Sequence, residues 1–358
     1  MRIAQIAPLD ETVPPLLYGG TERVVAYLCD ALVEMGHQVT LFASSESNTR
    51  AELVTMRDQA IRLDRTPLKS HLAAHLAMMD EVRKRQDSFD VLHFHTDVVH
   101  FPFFEEIADR TLTTLHGRLD LKDLDSAVGR WPDYPLVSIS DSQRAPLAHA
   151  NWAATVQHGL PMSRFRFAPA PRGGYLAFLG RMSAEKGPTR AIEIARAAGI
   201  PLRIAAKIDS HDEAWFHRHV EPLLGDPLVD FIGEIGEKDK SDFLGNALAL
   251  LFPIDWPEPF GLVMIEAMAC GTPVIAWNRG AVPEIVDDGV SGFVVETYEQ
   301  ALDAIGRVKL LNRLRVRRTC ERRFSASAMA RRYLDVYARL VGGSAIEHDR
   351  ISAGISAV

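Results

Sequence analysis

The stretch PEPFGLVMIEAMACGTPVIA, residues 257–276, places two glutamates where a carboxylate is unexpected. Glu258 lies between two prolines, which hold it in a stiff extended loop because a residue before proline is pushed out of helical geometry. A helix is predicted to begin near Phe260–Gly261, and its first amides can bind phosphate at the positive end of the helix dipole. Gly261 would let a ligand approach the backbone closely. The simpler interpretation of Glu258 is a carboxylate that favours a helix N-terminus.

Glu266 lies inside the same predicted helix, which has almost no polar face. Its neighbours from Leu262 to Cys270 are apolar, so the helix is expected to be buried nearly all round. A buried carboxylate without partners costs roughly several kcal/mol or becomes protonated. The adjacent hydroxyls of a ribose would supply the donors that Glu266 needs. An internal salt bridge or a position at the protein rim are the alternatives.

Short apolar runs alternate with helical patterns on both sides of this stretch. Such alternation is typical of a parallel sheet with helices on both faces. It occurs in two series, separated by the Pro- and Gly-rich segment APAPRGG at residues 168–174. We therefore predict an α/β protein with two domains, 1–170 and 171–324, a closing helix at 325–341 and a weakly ordered tail at 342–358. Ligands of such sheets bind at the carboxyl ends of strands.

The composition narrows the class of protein. The chain has 358 residues, of which 47% are hydrophobic, and a formal net charge of −7, which disfavours general binding of nucleic acid. Cys29, Cys270 and Cys320 are far apart and form no CxxC pair, which argues against a disulfide framework or a zinc finger. The start MRIAQIAPLD breaks at Pro8, unlike a signal peptide, and no stretch is apolar enough to span a membrane. We expect a cytoplasmic location.

A second motif is FLGRMSAEKG, residues 178–187. Arg181 and Lys186 follow the end of a predicted strand within one loop, just before a helix that opens at Gly187-Pro188. Two cations at a strand's carboxyl end suit a diphosphate, since arginine offers a forked donor and lysine a point charge. No metal would then be needed to neutralise the ligand. A solvated loop with scattered charge is the alternative.

A third motif is the glycine pair of YGGTERVV, residues 18–25. Gly19 and Gly20 end a long loop after the first strand and precede a helix. Long loops in compact domains are often functional. The pair resembles a loop through which phosphate approaches, although it is not a GxGxxG motif, and two glycines often form only a turn.

The histidines admit two interpretations. In HFHTD, His93 and His95 alternate on a predicted strand, as metal ligands do, but a metal hydrolase would need further ligands and suits a two-domain pattern poorly. Buried or rim histidines are the preferred interpretation. His116 ends another strand, next to Gly117, at the edge where ligands bind.

Two charged segments are assigned to the surface. The DLD triplet, Asp123 to Asp125, fits a metal–diphosphate signature but follows no clear strand, so we interpret it as a surface segment. The run from Gly306 to Phe324 is strongly basic and is interpreted as a solvated helix face. Weak contact with acidic lipid headgroups is the alternative for this run.

Taken together, these motifs resemble the retaining glycosyltransferases of family 4. The resemblance rests on GRMSAEKG at 180–187, on EPFGLVMIEAMACGTPVIAWNRGAVPEIVDDGVSGFVV at 258–295 with its E-x7-E spacing, and on YGGTERVVAYLCDALVEMGHQVTLFA at 18–43. It implies the GT-B fold, in which two Rossmann-like domains face each other across a cleft and a C-terminal helix crosses back to the first domain.

The resemblance also implies a role for each matching residue. Arg181 and Lys186 would hold the diphosphate of a sugar nucleotide, and Gly19 and Gly20 would leave room for it. Glu266 would bind the ribose, Glu258 the sugar hydroxyls, and the amides of Phe260, Gly261 and Leu262 a phosphate or the sugar. His116 would lie near the donor sugar and the reacting centre. Ile235 would contact the base, and Lys207 would lie on the donor side.

The implied activity is metal-independent transfer of a hexose, with retention, from a nucleotide-diphosphate sugar to a hydroxyl acceptor such as a glycan, a lipid-linked sugar or a small molecule. UDP is favoured as the nucleotide on general prevalence, and no cofactor is expected. A sugar-nucleotide epimerase or a phosphorylase on the same fold, and a non-catalytic binding protein, are the alternatives. The partners would be the donor and the acceptor, with weak peripheral contact at the inner face of a membrane as a further option.

Overall fold

The computed structural model describes the backbone of residues 1–355 and the side chains of residues 1–342. These residues form two sheets, of seven and six strands, in which every pairing is parallel. The strands are β1 Arg2–Ile6, β2 Gln38–Ser44, β3 Glu52–Arg57, β4 Val91–Phe94, β5 Thr111–Thr114, β6 Leu136–Ser138, β7 Trp152–Thr155, β8 Leu176–Arg181, β9 Leu202–Lys207, β10 Val229–Gly233, β11 Ala249–Phe252, β12 Val274–Trp277 and β13 Gly292–Val295. The α-helices are α1 Gly20–Glu34, α2 His71–Arg85, α3 Leu124–Arg130, α4 Asp141–Arg144, α5 Pro188–Ala198, α6 Glu213–His219, α7 Glu237–Gly245, α8 Leu262–Ala269, α9 Val282–Ile285, α10 Tyr298–Arg307, α11 Arg313–Phe324 and α12 Ala326–Ile355.

The chain divides into two compact units. Unit 1 comprises Met1–Pro15, Gly19–Gly159 and the chain from Ala326 onward, and unit 2 comprises Leu16–Tyr18 and Leu160–Ser325. The division at Gly159 falls earlier than the expected boundary at residue 170. The Pro- and Gly-rich segment is part of unit 2 because its backbone is bonded there: the Ala168 amide donates to the Cys270 carbonyl at 3.0 Å.

Unit 1 is built on the sheet β3-β2-β1-β4-β5-β6-β7. Helix α12 packs on α1 within this unit and buries Met329, Tyr333 and Tyr337 completely. The helix begins within one residue of the predicted start, and its backbone continues to Ile355, past the predicted end at residue 341. No proline interrupts the sequence beyond that point. The tail predicted for 342–358 therefore falls on helical backbone up to Ile355 and, at 356–358, outside the described residues.

Unit 2 is built on the sheet β10-β9-β8-β11-β12-β13. The central strands of both sheets match the apolar runs of the sequence, whereas three strands at sheet edges, β3, β7 and β13, were not identified. In β3 and β7 most side chains are only half-buried, so these segments lack the continuous apolar run of a central strand.

The strand order locates the edge where ligands bind in such sheets. In unit 1 the order reverses between the neighbours β1 and β4, and in unit 2 between β8 and β11. Open parallel α/β sheets bind ligands beyond the carboxyl ends of the strands at this reversal. At this position in unit 2, Arg181 is the last residue of β8, and Lys186 and Glu258 lie in the loops that follow β8 and β11. In unit 1, His95 directly follows β4, and His116 lies in the loop after the next strand, β5.

Candidate functional site

Glu258 forms a buried ion pair at the strand-order reversal of unit 2. Its Oε2 accepts hydrogen bonds from Lys186 Nζ at 2.5 Å and from Trp256 Nε1 at 2.9 Å, and the residue is only 8% exposed. Lys186 Nζ also lies 4.7 Å from the centre of the Trp256 ring. The structure thus brings together two predicted site residues that are 72 positions apart, and adds Trp256, which the sequence analysis did not single out.

A glycine holds the loop that carries Glu258. Gly280 has φ +55°, and a Cβ added there would lie 2.3 Å from the Glu258 nitrogen. The next amide, of Ala281, donates to the Glu258 carbonyl at 2.9 Å. The Glu258 backbone therefore needs glycine at position 280, a requirement that depends on tertiary packing and is invisible in the local sequence.

Arg181 has two carboxylate neighbours. Its Nη2 donates to Glu185, and its Nε lies 3.0 Å from Asp212 Oδ2. The Nε–Asp212 distance satisfies an ion pair, but the angle does not satisfy a hydrogen bond, so we interpret this contact as electrostatic attraction alone. A bound diphosphate would compete with Glu185 and Asp212 for the guanidinium. Neither acid was identified from the sequence.

Glu266 is buried, as predicted, and the internal salt bridge named as an alternative is present. Lys240 Nζ, from α7, donates to Glu266 Oε1 at 2.6 Å, and the glutamate side chain is 3% exposed. The lysine stabilises the carboxylate without a ligand. Contact of Glu266 with a ribose stays a prediction.

Helix α8 begins slightly later than predicted. Leu262 is its first residue, and Gly261, with φ +86°, precedes it in the left-handed conformation. Phe260 lies before the helix, and its buried ring meets Phe324 edge to face at 6.1 Å. Of the three amides assigned to phosphate, only that of Leu262 belongs to the helical turn.

Two other predicted residues of unit 2 follow strands of the same sheet. Lys207 ends β9; its Nζ lies 3.5 Å from Asp209 Oδ2 and 5.4 Å from the ring centre of Tyr18, a residue of the same unit. Ile235 is half-buried in the loop between β10 and α7. Both therefore lie beyond the carboxyl ends of the strands, on the side of the sheet that carries Arg181.

The glycine pair of unit 1 lies at the start of α1, beside a buried acid. Gly19, with φ +151°, precedes the helix, and a Cβ there would approach Pro15 to 2.8 Å and Glu22 Oε2 to 3.3 Å. Burial raises the pKa of Glu22 to about 7. The space expected to admit a diphosphate at Gly19 and Gly20 is thus bordered by a carboxyl group that is largely neutral below that pH. Glu22 was missed because glutamate is common in the first turn of helices.

His116 is half-buried and belongs to a cluster with the buried His95 and His158 in unit 1. Its Nε2 lies 2.8 Å from His95 Nδ1, and its ring stacks on that of His158 with 5.3 Å between centres. Burial lowers the pKa of His116 to about 3 and that of His95 and His158 well below the usual value. The rings are therefore neutral at physiological pH.

A metal ion bound at HFHTD would need free ring nitrogens, and His93 and His95 offer none. Both nitrogens of His93 and both of His95 are within hydrogen-bond distance of protein atoms, at 2.7 to 2.8 Å. Within the part of the chain that the structure describes, no three His, Cys, Asp or Glu side chains are grouped as metal ligands would be. Asp123 and Asp125 are exposed, as predicted for a surface segment.

The basic run at 306–324 is not simply a solvated face. The guanidinium of Arg313 is largely buried and donates to the carbonyls of Ala168, Gly245 and Ala247 at 2.8 to 2.9 Å. Arg317 likewise donates to backbone carbonyls of unit 2. The exposed cations of the run are Arg307, Lys309, Arg315, Arg318 and Arg322. Within residues 1–355, no helix combines the length and the apolarity that crossing a membrane requires.

Comparisons with known proteins agree with this architecture. The model of "Glycosyltransferase Family 4" matches residues 18–156, and the model of "Glycosyl transferases group 1" matches residues 163–322. A D-inositol 3-phosphate glycosyltransferase of Saccharomonospora viridis is 32% identical over 54% of this chain and 52% of that protein. The match therefore spans about half the length of this relative. A phosphatidyl-myo-inositol mannosyltransferase of Mycobacterium leprae is 27% identical over 93% of each chain.

Among solved structures, the Anabaena protein HepE in complex with UDP and glucose superimposes with a TM-score of 0.72 at 17% identity, over 94% of this chain and 99% of that one. The fold is thus that of the GT-B glycosyltransferases, with two parallel sheets of Rossmann-like order. The chain belongs to the glycosyltransferases of family 4.

Proposed function

We propose that this protein transfers a hexose, with retention of configuration and without a metal ion, from a UDP-sugar to a hydroxyl acceptor. The observation that carries the proposal is the largely buried Lys186–Glu258 pair, which shares the strand-order reversal of unit 2 with Arg181. Cations suit the diphosphate of a donor, and a carboxylate suits the hydroxyls of its sugar. The choice of UDP is supported by the complex of HepE with UDP and glucose.

The proposed mechanism is electrostatic. The bond from the sugar C1 to the diphosphate oxygen breaks, and negative charge develops on the leaving group. Arg181, Lys186 and the first amide of α8 stabilise that charge as preorganised donors. The acceptor oxygen bonds to C1 on the face that the diphosphate leaves, and the acceptor proton goes to an oxygen of the leaving phosphate. No protein side chain acts as the nucleophile.

The remaining residues bind the rest of the donor in this proposal. Glu258 binds sugar hydroxyls once Lys186 has turned to the phosphate, and Glu266 Oε2 accepts from the ribose. The backbone at Ile235 contacts the base, and His116 contacts the donor sugar. Lys207 lies on the donor side of the sheet edge. Gly19 and Gly20 leave room for the diphosphate.

The names of the relatives suggest the first acceptors to examine. Two matched proteins are named for D-inositol 3-phosphate and phosphatidyl-myo-inositol, which are both phosphorylated polyols. Glycans and lipid-linked sugars remain in the proposed acceptor class. A screen should therefore begin with inositol phosphates and then extend to these larger molecules.

The deciding experiment measures transfer with UDP-, GDP- and ADP-hexoses in the presence and absence of EDTA. We expect release of UDP that depends on the acceptor, a product with the donor's anomeric configuration by NMR, and no effect of the chelator. Epimerised donor or free sugar phosphate as the only product would overturn the transfer. A thermal-shift series with UDP, GDP and ADP identifies the nucleotide independently of the acceptor, because ligand that binds the native state raises its stability.

We also propose a cytoplasmic location with weak membrane contact through α11 and the short turn before it. Exposed Lys309, Arg315 and Arg318 accompany Leu310 and Leu314, which are 77% and 42% exposed. Basic and apolar side chains together favour binding to anionic lipid surfaces. Co-sedimentation with vesicles that contain phosphatidylglycerol, compared with pure phosphatidylcholine, tests this contact; an R315E/R318E variant that sediments like the wild type would contradict it.

A further inference from the structure

A continuous chain of hydrogen bonds connects His116 to helix α12 within unit 1. Its members come from the carboxyl ends of β1, β4 and β5 and from α12, and all except the half-buried His116 are buried. In order, they are His116, His95, Gln5, Tyr337, His93, Thr114 and Tyr333. The successive distances are 2.8, 2.8, 3.0, 2.7, 2.7 and 2.9 Å.

The rings in this chain are neutral, so each has one donor and one acceptor nitrogen. Burial lowers the pKa of His93, His95 and His116 far enough to exclude the charged form near neutral pH. A neutral imidazole that donates at one nitrogen must accept at the other. The tautomer of every ring is therefore coupled to the tautomer of the next.

The amide of Gln5 determines the direction of the whole chain. Its Nε2 donates to Tyr337 Oη, and its Oε1 faces His95 Nε2, which must therefore carry a proton. His95 Nδ1 then has a lone pair, and the proton between the two rings belongs to His116 Nε2. If the amide were turned by 180°, every one of these assignments would reverse.

Beyond Gln5, each member of the chain donates its hydrogen to the next member, away from Gln5. Tyr337 receives the amide hydrogen and donates its own to His93 Nδ1 at 2.7 Å. His93 Nε2 then donates to Thr114 Oγ1, which donates to Tyr333 Oη. No bond in the series conflicts with another, so one orientation of the Gln5 amide gives a single consistent direction from His116 to Tyr333.

We propose that the part of this chain from Tyr337 to His116 holds His116 in the Nε2–H tautomer and so presents Nδ1 as a hydrogen-bond acceptor for a hydroxyl of the substrate. The inference rests on the proposed function, which places His116 at the donor sugar. Nδ1 is shielded from solvent and has no hydrogen-bond partner within the described residues. A buried polar atom without a partner is costly and is expected to be satisfied by a bound group. His95, Gln5 and Tyr337 are then positioning residues.

The test reads the ring nitrogens directly by NMR of the full chain labelled with ¹⁵N-histidine, with the His116 signals assigned from their loss in His116→Asn. We expect a protonated Nε2 and an unprotonated Nδ1 in the wild type without donor. Tyr337→Phe removes the acceptor of the Gln5 amide while keeping the ring, and should give a mixture of both His116 tautomers. A wild-type spectrum with protonated Nδ1, or an unchanged spectrum in Tyr337→Phe, would overturn the proposal.

Thr114→Val is the matched control, because it breaks the chain on the far side of Tyr337 and leaves the Gln5 contacts in place. It should retain the wild-type signals of His116 even if it lowers the melting temperature. A shift of those signals in this variant would overturn the directional argument, because a loss of packing alone would then move them.

Kinetics connects the tautomer to the reaction. Tyr337→Phe should lower kcat/KM for the donor by roughly three- to tenfold, the range expected for one neutral hydrogen bond, and Thr114→Val should not. Unchanged kinetics in Tyr337→Phe, together with mixed tautomers, would overturn the contact with the substrate. If no donor is turned over at all, the proposed function fails, and the wild-type spectrum still decides the tautomer.

Discussion

At the carboxyl ends of the central strands, unit 2 carries pairs of opposite charge and unit 1 carries neutral rings, amides and hydroxyls. In unit 2, Lys186 pairs with Glu258 at 2.5 Å and Lys240 with Glu266 at 2.6 Å. In unit 1, His116 and His95 are joined by a hydrogen bond at 2.8 Å and are both held neutral by burial. The same type of sheet thus supports two kinds of polar environment.

The difference indicates what each unit is suited to bind. Partly buried charges keep most of their strength because little water screens them, so they can stabilise an anionic diphosphate. They must be paired while no ligand is bound, since an isolated buried charge is costly. A neutral chain avoids that cost and offers donors and acceptors of fixed polarity, which suit hydroxyl groups.

The largest expected effect comes from removing one charge of the deepest pair. Lys240→Met leaves Glu266 buried without a counter-charge, and we expect the free energy of unfolding to fall by about 3–5 kcal/mol. Urea denaturation of the full chain measures this change. The matched control is the double variant Lys240→Met/Glu266→Leu, which replaces the pair with apolar side chains and should recover most of the stability. If the free energy of unfolding of Lys240→Met lay within about 1 kcal/mol of the wild-type value, as for an exposed pair, the pair would contribute little to stability.

The next effect concerns activity. Lys186→Ala and Glu258→Ala should each lower kcat/KM for transfer by roughly 10²- to 10³-fold, because each removes a group that we place on the donor. Asp255→Ala is the control, since Asp255 belongs to the same loop and forms a largely exposed pair with Arg190 at 3.4 Å. Its activity should stay near that of the wild type. Near-normal transfer by both alanine variants would refute the assignment of the site.

Glu22 is a buried ionisable residue of unit 1 whose charge changes near neutral pH. Burial raises the pKa of Glu22 from 4.5 to about 7, so the folded state binds more protons than the unfolded state between those values. The stability that this proton supplies is complete below pH 4.5 and is lost as the pH rises through 7. Glu22→Gln keeps a neutral side chain and should therefore be more stable than the wild type at pH 8, by about 3 kcal/mol.

The melting temperatures of the two chains, compared from pH 5 to pH 8, measure this effect. The melting temperature of Glu22→Gln relative to the wild type should rise steadily from pH 5 to pH 8. The control is Glu34→Gln, on the same helix, where the carboxylate is 56% exposed and pairs with Arg50. The melting temperature of this control relative to the wild type should not change with pH. His116 acts in the opposite direction, since its pKa, lowered to about 3, removes stability as the pH falls below 6.5 in both chains. A gain for Glu22→Gln that does not vary with pH would contradict the raised pKa.

The sequence was sufficient to predict where the strand-end residues of the candidate site lie. Apolar runs identify the central strands, and parallel pairing places their carboxyl ends at one edge, which brings Arg181, Lys186 and Glu258 to the same side of the sheet. The edge strands β3 and β7 were not predicted, because half-buried strands lack a continuous apolar run. The helix start at α8 was accurate to one or two residues.

The partners of these residues could not be predicted, because they depend on how distant elements pack. Lys240 reaches Glu266 from a neighbouring helix, and Asp212 reaches Arg181 from another loop. From the sequence, a salt bridge of Glu266 was one of several alternatives, and the structure contains it. The direction of the His116 chain depends on Gln5 and Tyr337, which are 332 positions apart, and no local pattern relates them.

The smallest expected effect separates backbone strain from placement of the charged site. Gly280 and Gly289 both have positive φ, +55° and +69°, so alanine at either position is strained by about 1–2 kcal/mol. They differ in space: a Cβ at Gly280 would lie 2.3 Å from the Glu258 nitrogen, whereas a Cβ at Gly289 would meet nothing within 4 Å. We therefore expect a modest fall in melting temperature from Gly289→Ala, and a larger fall together with a loss of transfer from Gly280→Ala, because the Glu258 backbone must move. Equal activity of the two variants would show that Glu258 tolerates displacement, and the charged site of unit 2 would then depend less on exact geometry than the chain of unit 1.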